Sequence, residues 1–308
     1  MDTVNKYAAN KPSVVTIGTF DGVHIGHQKI VKRLIKTAGE EHLQSVVLTF
    51  FPHPRMVLQK DSNIKLINSI GERRNILEGL GLDYLLIKNF TKAFSRLSAE
   101  DFVKQILVDT LNVKKVIIGY DHRFGRNRNA NINDLTKFGA IYGFKVEEIS
   151  AQDIDDVSVS STKIRTALYE GDIEKANAYL GYHFMLTGKV VKGQSLGRKM
   201  GYPTANIFIE EDYKLIPKQG VYVVNAQING ELVYGMMNIG SNPTIKGKGD
   251  SIEVHFFNFN ANLYNQIIQV NILHRLRDEY KFESVEKLTE QLQKDEITAL
   301  DYVESRKI

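Results

Sequence analysis

Between Val14 and His27 the chain reads VVTIGTFDGVHIGH, an apolar run that ends in a glycine-rich turn and reopens as an amphipathic segment. That order predicts a strand, a tight turn and a helix. Gly18, Gly22 and Gly26 allow backbone geometries and close approaches that a side chain would block, and His24 and His27 stand three apart around the predicted helix start. Both imidazoles can therefore face one ligand, although two histidines near a helix terminus can equally be surface polar residues or half of a metal site. Backbone N–H groups and the positive end of the helix dipole converge on the same place, so a phosphate is the natural guest. Zinc is the weaker reading, because the chain has no cysteine and the histidines are spaced i, i+3 instead of the i, i+4 of a zinc-protease helix. The glycines match neither G-x-G-x-x-G nor G-x-x-x-x-G-K-[ST], which sets aside a dinucleotide fingerprint and a P-loop.

The pattern after this unit is strand and helix in alternation. Gln28 to His42 has helical spacing, Ser45 to Phe51 is a continuous apolar strand, Ser69 to Gly79 a helix and Tyr84 to Ile87 a buried strand. Ser98 to Leu111 reads as a helix with Ser98 as N-cap, Val116 to Ile118 as a strand, Asn133 to Tyr142 as a helix and Phe144 to Ile149 as a strand. Such alternation predicts a parallel sheet with helices on both faces and ligands at the carboxyl ends of the strands. His24 and His27 follow the first strand. With 308 residues, two domains are expected, each burying its own core. The balance of 40 basic against 36 acidic side chains leaves only +4, which does not call for nucleic acid. The N-terminal MDTVNKYAANKP lacks an apolar signal core, and no run reaches the length of a membrane span, so a cytoplasmic protein with no membrane partner is expected.

Three further segments of the first half fall at strand ends. Phe50 to Pro54 reads FFPHP, with prolines that stiffen a turn. Gly119 to Arg128 reads GYDHRFGRNR, a basic loop open to anions or to solvent alone. Val159 to Arg165 reads VSSTKIR and enters a helix from Lys163 to Tyr169 that Gly171 terminates.

After a last short helix, Ile173 to Leu180, the rhythm changes near Tyr182. MLTGKVV, GVYVVNAQI, LVYGMMNI, IEVHFFNF and IIQVNIL are short β-rich runs separated by glycine and asparagine. Asn229-Gly230 between Val221–Ile228 and Glu231–Ile239 is a two-residue hairpin signal. About six short strands suggest a small closed barrel. Ser284 to Val303 is helical, with Val285, Leu288, Leu292, Ala299 and Val303 as a core-packing stripe. The most informative stretch is Gly197 to Asn206, GRKMGYPTAN, joined to Gly188 and Gly193 upstream. Thr204 and Asn206 alternate onto one side of an extended segment and offer hard oxygen ligands suited to Mg²⁺ and phosphate. Glu253 and His255 share one face of their strand.

Gly18 to His27 resembles the GxFDGxHxGH signature of the nucleotidyltransferase superfamily, and most closely that of prokaryotic bifunctional riboflavin kinase/FAD synthetases. GRKMGYPTAN resembles the GRxxGxPTAN signature of riboflavin kinase, and Asn238 to Thr244 its GxxPT loop. The resemblance implies an α/β nucleotidyltransferase domain, Rossmann-like with a parallel sheet, over residues 1–182. A Greek-key antiparallel β-barrel riboflavin kinase domain with a C-terminal helix follows over 183–308. The implied function is bifunctional: riboflavin and ATP give FMN, then FMN and ATP give FAD and pyrophosphate, with Mg²⁺ at both steps and ATP as co-substrate.

The resemblance also implies roles. His24 and His27 stabilise charge on the transferring adenylyl group. Gly18, Phe20, Gly26 and Asp121 line the nucleotide and flavin loops, while Ser161, Thr162 and Arg165 close over the β and γ phosphates. Gly197 and Gly201 let the backbone wrap ATP in the kinase half, Thr204 and Asn206 hold the metal, and Glu253 accepts the ribityl hydroxyl's proton. The basic loop departs from the family at His122 and at Asn129-Ala130. The runner-up reading follows from those changes: a riboflavin kinase whose N-terminal module is degenerate and only binds nucleotide. A homo-oligomer is left open.

Overall fold

The computed structural model of the chain describes residues 11–59, 63–119, 122–150, 159–193, 196–241 and 250–306. The chain divides into two compact units, Met1–Ser160 and Ser161–Ile308.

The first unit is built on five strands, β1 (Ser13–Ile17), β2 (Gln44–Phe51), β3 (Tyr84–Asn89), β4 (Val113–Gly119) and β5 (Lys145–Ile149). They lie in the order β3-β2-β1-β4-β5, every pair parallel. Side chains alternate across the sheet. Val14, Val47 and Ile117 join α1 (Ile25–Glu40) and α3 (Ile70–Gly79) in one core, through Val31, Leu34 and Leu77. Val15, Val46 and Val116 face the other way, into a core with Phe102 and Leu107 and with Leu135 of α5 (Ile132–Tyr142). Helices on both faces follow, as the alternation predicts. β1 is central: the chain leaves it toward β2 and later returns to its other side with β4, so a crevice opens at its carboxyl end.

Two elements differ from expectation. The helix expected over Ser98–Leu111 is α4 (Ala99–Phe102) continued by a π-helical turn, Val103–Val108, in which the Asp109 N–H reaches the Lys104 carbonyl at 2.9 Å. Widening the turn leaves Val103, Ile106 and Leu107 all buried. α1 begins at Ile25, earlier than the apolar spacing indicates, because His24 is its N-cap. An imidazole is not among the usual capping groups.

In the second unit α6 (Ser161–Glu170) and α7 (Ile173–Leu180) precede β6 (Met185–Val191), a short α8 (Leu196–Lys199), β7 (Ala205–Phe208), β8 (Gly220–Ile228), β9 (Glu231–Gly240), β10 (Ser251–Phe256) and β11 (Ile267–Arg277). The strands close into an antiparallel barrel ordered β10-β7-β6-β11-β8-β9. β11 returns to lie between β6 and β8, the crossing a Greek key requires. Asn229 (φ 53°) and Gly230 (φ 85°) make the tight β8–β9 turn, with Ile228 opposite Glu231. The C-terminal α9 (Val285–Ser305) buries Ala299 and Val303 against Tyr202, Val223, Met236 and Leu273, and its buried Asp295 takes a two-pronged ion pair from Arg277.

Candidate functional site

At the carboxyl end of β1 the chain turns through Phe20 (φ 47°), Gly22 (φ 89°) and Val23 (φ 33°) before α1. Two of these left-handed residues carry side chains, a strain that functional loops retain when their surroundings enforce it. His24 and His27 emerge stacked, ring centroids 3.7 Å apart and 18° from parallel. His24 Nδ1 accepts the His27 backbone N–H at 3.4 Å, so the proton of its neutral ring sits on Nε2, facing away from that bond. Phe20, almost fully buried, lies 5.0 Å from the His27 ring; a Cβ on Gly18 would press into the Phe20 ring at 3.0 Å. His27 Nδ1 is buried without a protein partner. Burial pushes His24 down to about 4. Burial, then the neighbouring His24 and Arg73, pushes His27 well below the usual histidine range. Both rings are neutral N–H donors at neutral pH.

The loop rests on an ion pair that sequence reasoning missed. Asp21 accepts the backbone N–H of Ile67 at 3.0 Å and meets Arg73 of α3 at 3.4 Å, both side chains 1 % exposed. Arg73 also donates to Thr49 at 3.4 Å, and Thr49 to the Thr19 carbonyl at 3.0 Å, which ties β2 to the same turn. Nothing in Arg73-Arg74 as sequence distinguishes the two arginines, and only the fold shows which of them turns inward. Removing one partner leaves a buried charge uncompensated. Asp21→Ala is therefore expected to lower stability by about 3–5 kcal/mol in a denaturant titration, and to disorder the histidine turn with it.

The remaining expected residues of this half are more scattered. Gly26 is buried in the first turn of α1. His53, ambiguous in sequence, caps α2 (Pro54–Leu58) by accepting the Arg55 N–H at 3.2 Å. Asp121 lies outside the described residues. Ser161, Thr162 and Arg165 open α6 and fall in the second unit.

In the second unit the register places Asn206 of β7 directly opposite Glu253 of β10. Just before β7, the Thr204 hydroxyl donates to Glu253 Oε2 at 3.1 Å. One strand face supplies a second hold, since His255 bonds the Pro203 carbonyl at 2.9 Å. Glu253 and His255 thus fix successive residues of the PTAN segment. Asn206 is 5 % exposed, and its Oδ1 is buried without a partner. A Cβ on Gly193 would stand 2.3 Å from the Asn206 amide, so the chain passes over it as bare backbone. Gly197 is equally constrained, 2.3 Å from the Tyr202 carbonyl by the same measure; Gly201 (φ 86°) turns the loop. Tyr202 anchors that loop by donating to Glu296 at 2.8 Å, and burial with this bond pushes its phenol up to about 12. A hydroxyl, an orphaned amide oxygen and a carboxylate in one place form the donor set of a hard divalent cation. Asn242, Pro243 and Thr244 of the GxxPT-like loop lie outside the described residues.

Comparison with known proteins matches both units. The family model described as FAD synthetase covers residues 6–163, and that described as Riboflavin kinase covers 180–303. A bifunctional riboflavin kinase/FMN adenylyltransferase from Listeria monocytogenes is 40 % identical over 92 % of this chain and 90 % of its own. The Bacillus subtilis protein of the same description is 38 % identical over 94 % and 92 %. A Streptococcus pneumoniae structure described as a macrolide-efflux protein superposes with a TM-score of 0.84 at 32 % identity, covering 94 % of each chain. Among the described residues no helix is long and apolar enough to cross a membrane.

Proposed function

The chain belongs to the bifunctional riboflavin kinase/FMN adenylyltransferase family, and on that premise we propose which of its side chains carry each of the two reactions. It is an ATP-using enzyme that phosphorylates riboflavin to FMN and adenylylates FMN to FAD.

For adenylyl transfer the phosphate of FMN attacks the α-phosphorus of ATP in line and pyrophosphate leaves. No covalent enzyme intermediate is needed, so the work is to position two mutually repelling anions and to stabilise charge on the transferring group. His24 and His27 donate N–H bonds to that group. Phe20, whose ring Gly18 leaves room for, packs against His27, and the amides of Gly26 and its neighbours at the start of α1 add donors. Ser161 and Thr162 bond the leaving phosphates, and Arg165 neutralises them with a permanent, bidentate charge. Asp121 lies on the loop assigned to flavin and nucleotide. The observation that carries this reading is the stacked histidine pair with an orphaned His27 Nδ1.

For phosphoryl transfer Glu253 accepts the proton of the ribityl hydroxyl as the γ-phosphoryl group moves across. The backbone at Gly197 and Gly201 wraps the phosphates of ATP. Thr204 and Asn206 hold Mg²⁺, which, when bound, neutralises phosphate charge. The Thr204–Glu253 bond beside the unpartnered Asn206 oxygen is the observation that carries this half. A kinase domain starting at His183, just ahead of β6, is supported by the Riboflavin kinase match from residue 180. A cytoplasmic setting fits both reactions, since each consumes ATP.

The runner-up, a kinase with a degenerate first module, rests on the departures at His122 and Asn129-Ala130. Product analysis separates the two. Incubation with riboflavin, ATP and Mg²⁺, followed by chromatography of the flavins, is expected to give FMN and then FAD. FMN without FAD leaves only the kinase.

A further inference from the structure

In the second unit, the segment that carries Thr204 and Asn206 is tied to the C-terminal helix at one residue. Tyr202 stands between Gly201, whose φ of 86° turns the loop, and Pro203, the residue before Thr204. Its backbone N–H bonds the Gly197 carbonyl at 2.9 Å and closes the loop on itself. Its ring, 8 % exposed, lies in the apolar cluster where Ala299 and Val303 of α9 meet Met236 and Phe257. The same ring stands edge-on to His255 at 5.1 Å, and that histidine bonds the Pro203 carbonyl. The phenol then reaches across 94 positions of sequence to donate to Glu296 of α9 at 2.8 Å. Pro203 locks one of the torsions that separate Tyr202 from Thr204, so a shift of the tyrosine passes to the threonine with little slack.

Glu296 is offered from a fixed support. Its neighbour Asp295, buried, takes two bonds from Arg277 at the end of β11, at 2.9 and 2.7 Å, and a third from Gln291 at 2.8 Å. A two-pronged pair holds direction as well as distance. About one turn further on, Ala299 is fully buried in the cluster that holds the Tyr202 ring. Asp295 therefore sets where α9 stands against the barrel, and Glu296 uses that position to hold the tyrosine. Packing alone would be served by a ring without a hydroxyl. The hydroxyl adds a direction, because a hydrogen bond weakens steeply when its angle departs from linear. Burial and the Glu296 bond push the phenol up to about 12, so it remains a donor across the neutral range.

We propose that Tyr202 is a positioning residue for phosphoryl transfer: through its bond to Glu296, the C-terminal helix α9 sets where Thr204, Asn206 and the Gly197–Gly201 backbone meet the phosphates and metal of ATP. The proposal rests on the phosphoryl-transfer reading above. Coupling of this kind is reciprocal, so MgATP bound at the loop tightens α9 around Glu296. The test compares full-length wild type with Tyr202→Phe, Glu296→Ala and Glu296→Gln, at varied MgATP and varied riboflavin. In Tyr202→Phe and Glu296→Ala, KM for MgATP is expected to rise about fivefold, the worth of one hydrogen bond, while KM for riboflavin moves by less than about twofold. Glu296→Gln, whose amide oxygen still accepts, should stay within about twofold of wild type on both. A loss of folded enzyme alone would lower the rate without moving either KM. By hydrogen exchange, MgATP should slow the amides of α9 around Glu296 in wild type and not in Tyr202→Phe. An MgATP KM within about twofold of wild type in both Tyr202→Phe and Glu296→Ala overturns the proposal, and so does equal protection of α9 by MgATP in wild type and Tyr202→Phe. Asn206→Ala probes the reading beneath: if its MgATP KM equals that of wild type, or if wild type forms no FMN, the phosphoryl-transfer assignment has failed separately. Amide exchange across Gly197–Asn206 in the ligand-free proteins then decides the tie to α9. Faster exchange in Tyr202→Phe supports it; unchanged exchange overturns it.

Discussion

Glu253→Gln is expected to reduce FMN formation by about 100- to 10,000-fold, the usual contribution of a general base, while FAD formation from supplied FMN continues. The substitution is chosen for what it keeps. A glutamine at this position still offers Thr204 an acceptor in place of the Oε2 now 3.1 Å away, so the PTAN segment retains its tie to β10, and the His255 bond to the Pro203 carbonyl is untouched. Only the capacity to take a proton is lost. Two activities in one chain provide the internal control, because Glu253 and the stacked histidines belong to separate compact units. Chromatography of flavins from riboflavin and from FMN, run side by side, reads both. Retention of more than about a tenth of the kinase rate would remove Glu253 from the role of base.

The architecture was largely legible because its signals are periodic. Continuous apolar runs alternating with helical spacing identify a parallel sheet covered on both faces, and Asn229-Gly230 fixes a hairpin to the residue. The candidate sites were read from contiguous motifs, and among their residues the structure brings His24 to His27, and Thr204 and Asn206 to Glu253. What escaped was whatever depends on contact between distant segments. Nothing in Arg73-Arg74 says which side chain is buried against Asp21, some fifty residues earlier, and a histidine as N-cap of α1 contradicts ordinary capping preference. The π-helical turn at Val103–Val108 escaped likewise, since it is imposed by packing Ile106 and Leu107 together and not by any local propensity. Gly193 is joined in sequence to the GRKMGYPTAN stretch, but its close passage across the Asn206 amide appears only in the fold.

Replacing His24 or His27 by alanine is expected to slow FAD formation by about 100- to 1,000-fold each, the range found when one donor to a developing charge is removed. The environment of these rings adds a second, pH-dependent expectation. His24 has an ordinary value of 6.5 and is held near 4 by burial, so the folded protein favours its neutral form. Between those two values the unfolded chain binds more protons, and stability therefore falls as pH drops through that window and is complete above 6.5. His24 alone accounts for about 3 kcal/mol at the acid end, and His27, displaced in the same direction, adds to the loss. A polyphosphate bound against the pair opposes burial by offering opposite charge, and so raises both values. Binding of ATP is then coupled to proton uptake, and its apparent affinity should strengthen as pH is lowered from about 8 to about 6. ATP itself titrates in this range, so the informative quantity is the difference between wild type and His24→Gln. The variant should show a shallower slope, measured by calorimetry in buffers of different ionisation enthalpy. Identical slopes and identical proton uptake in the two proteins would show that the paired imidazoles do not meet the nucleotide's phosphates.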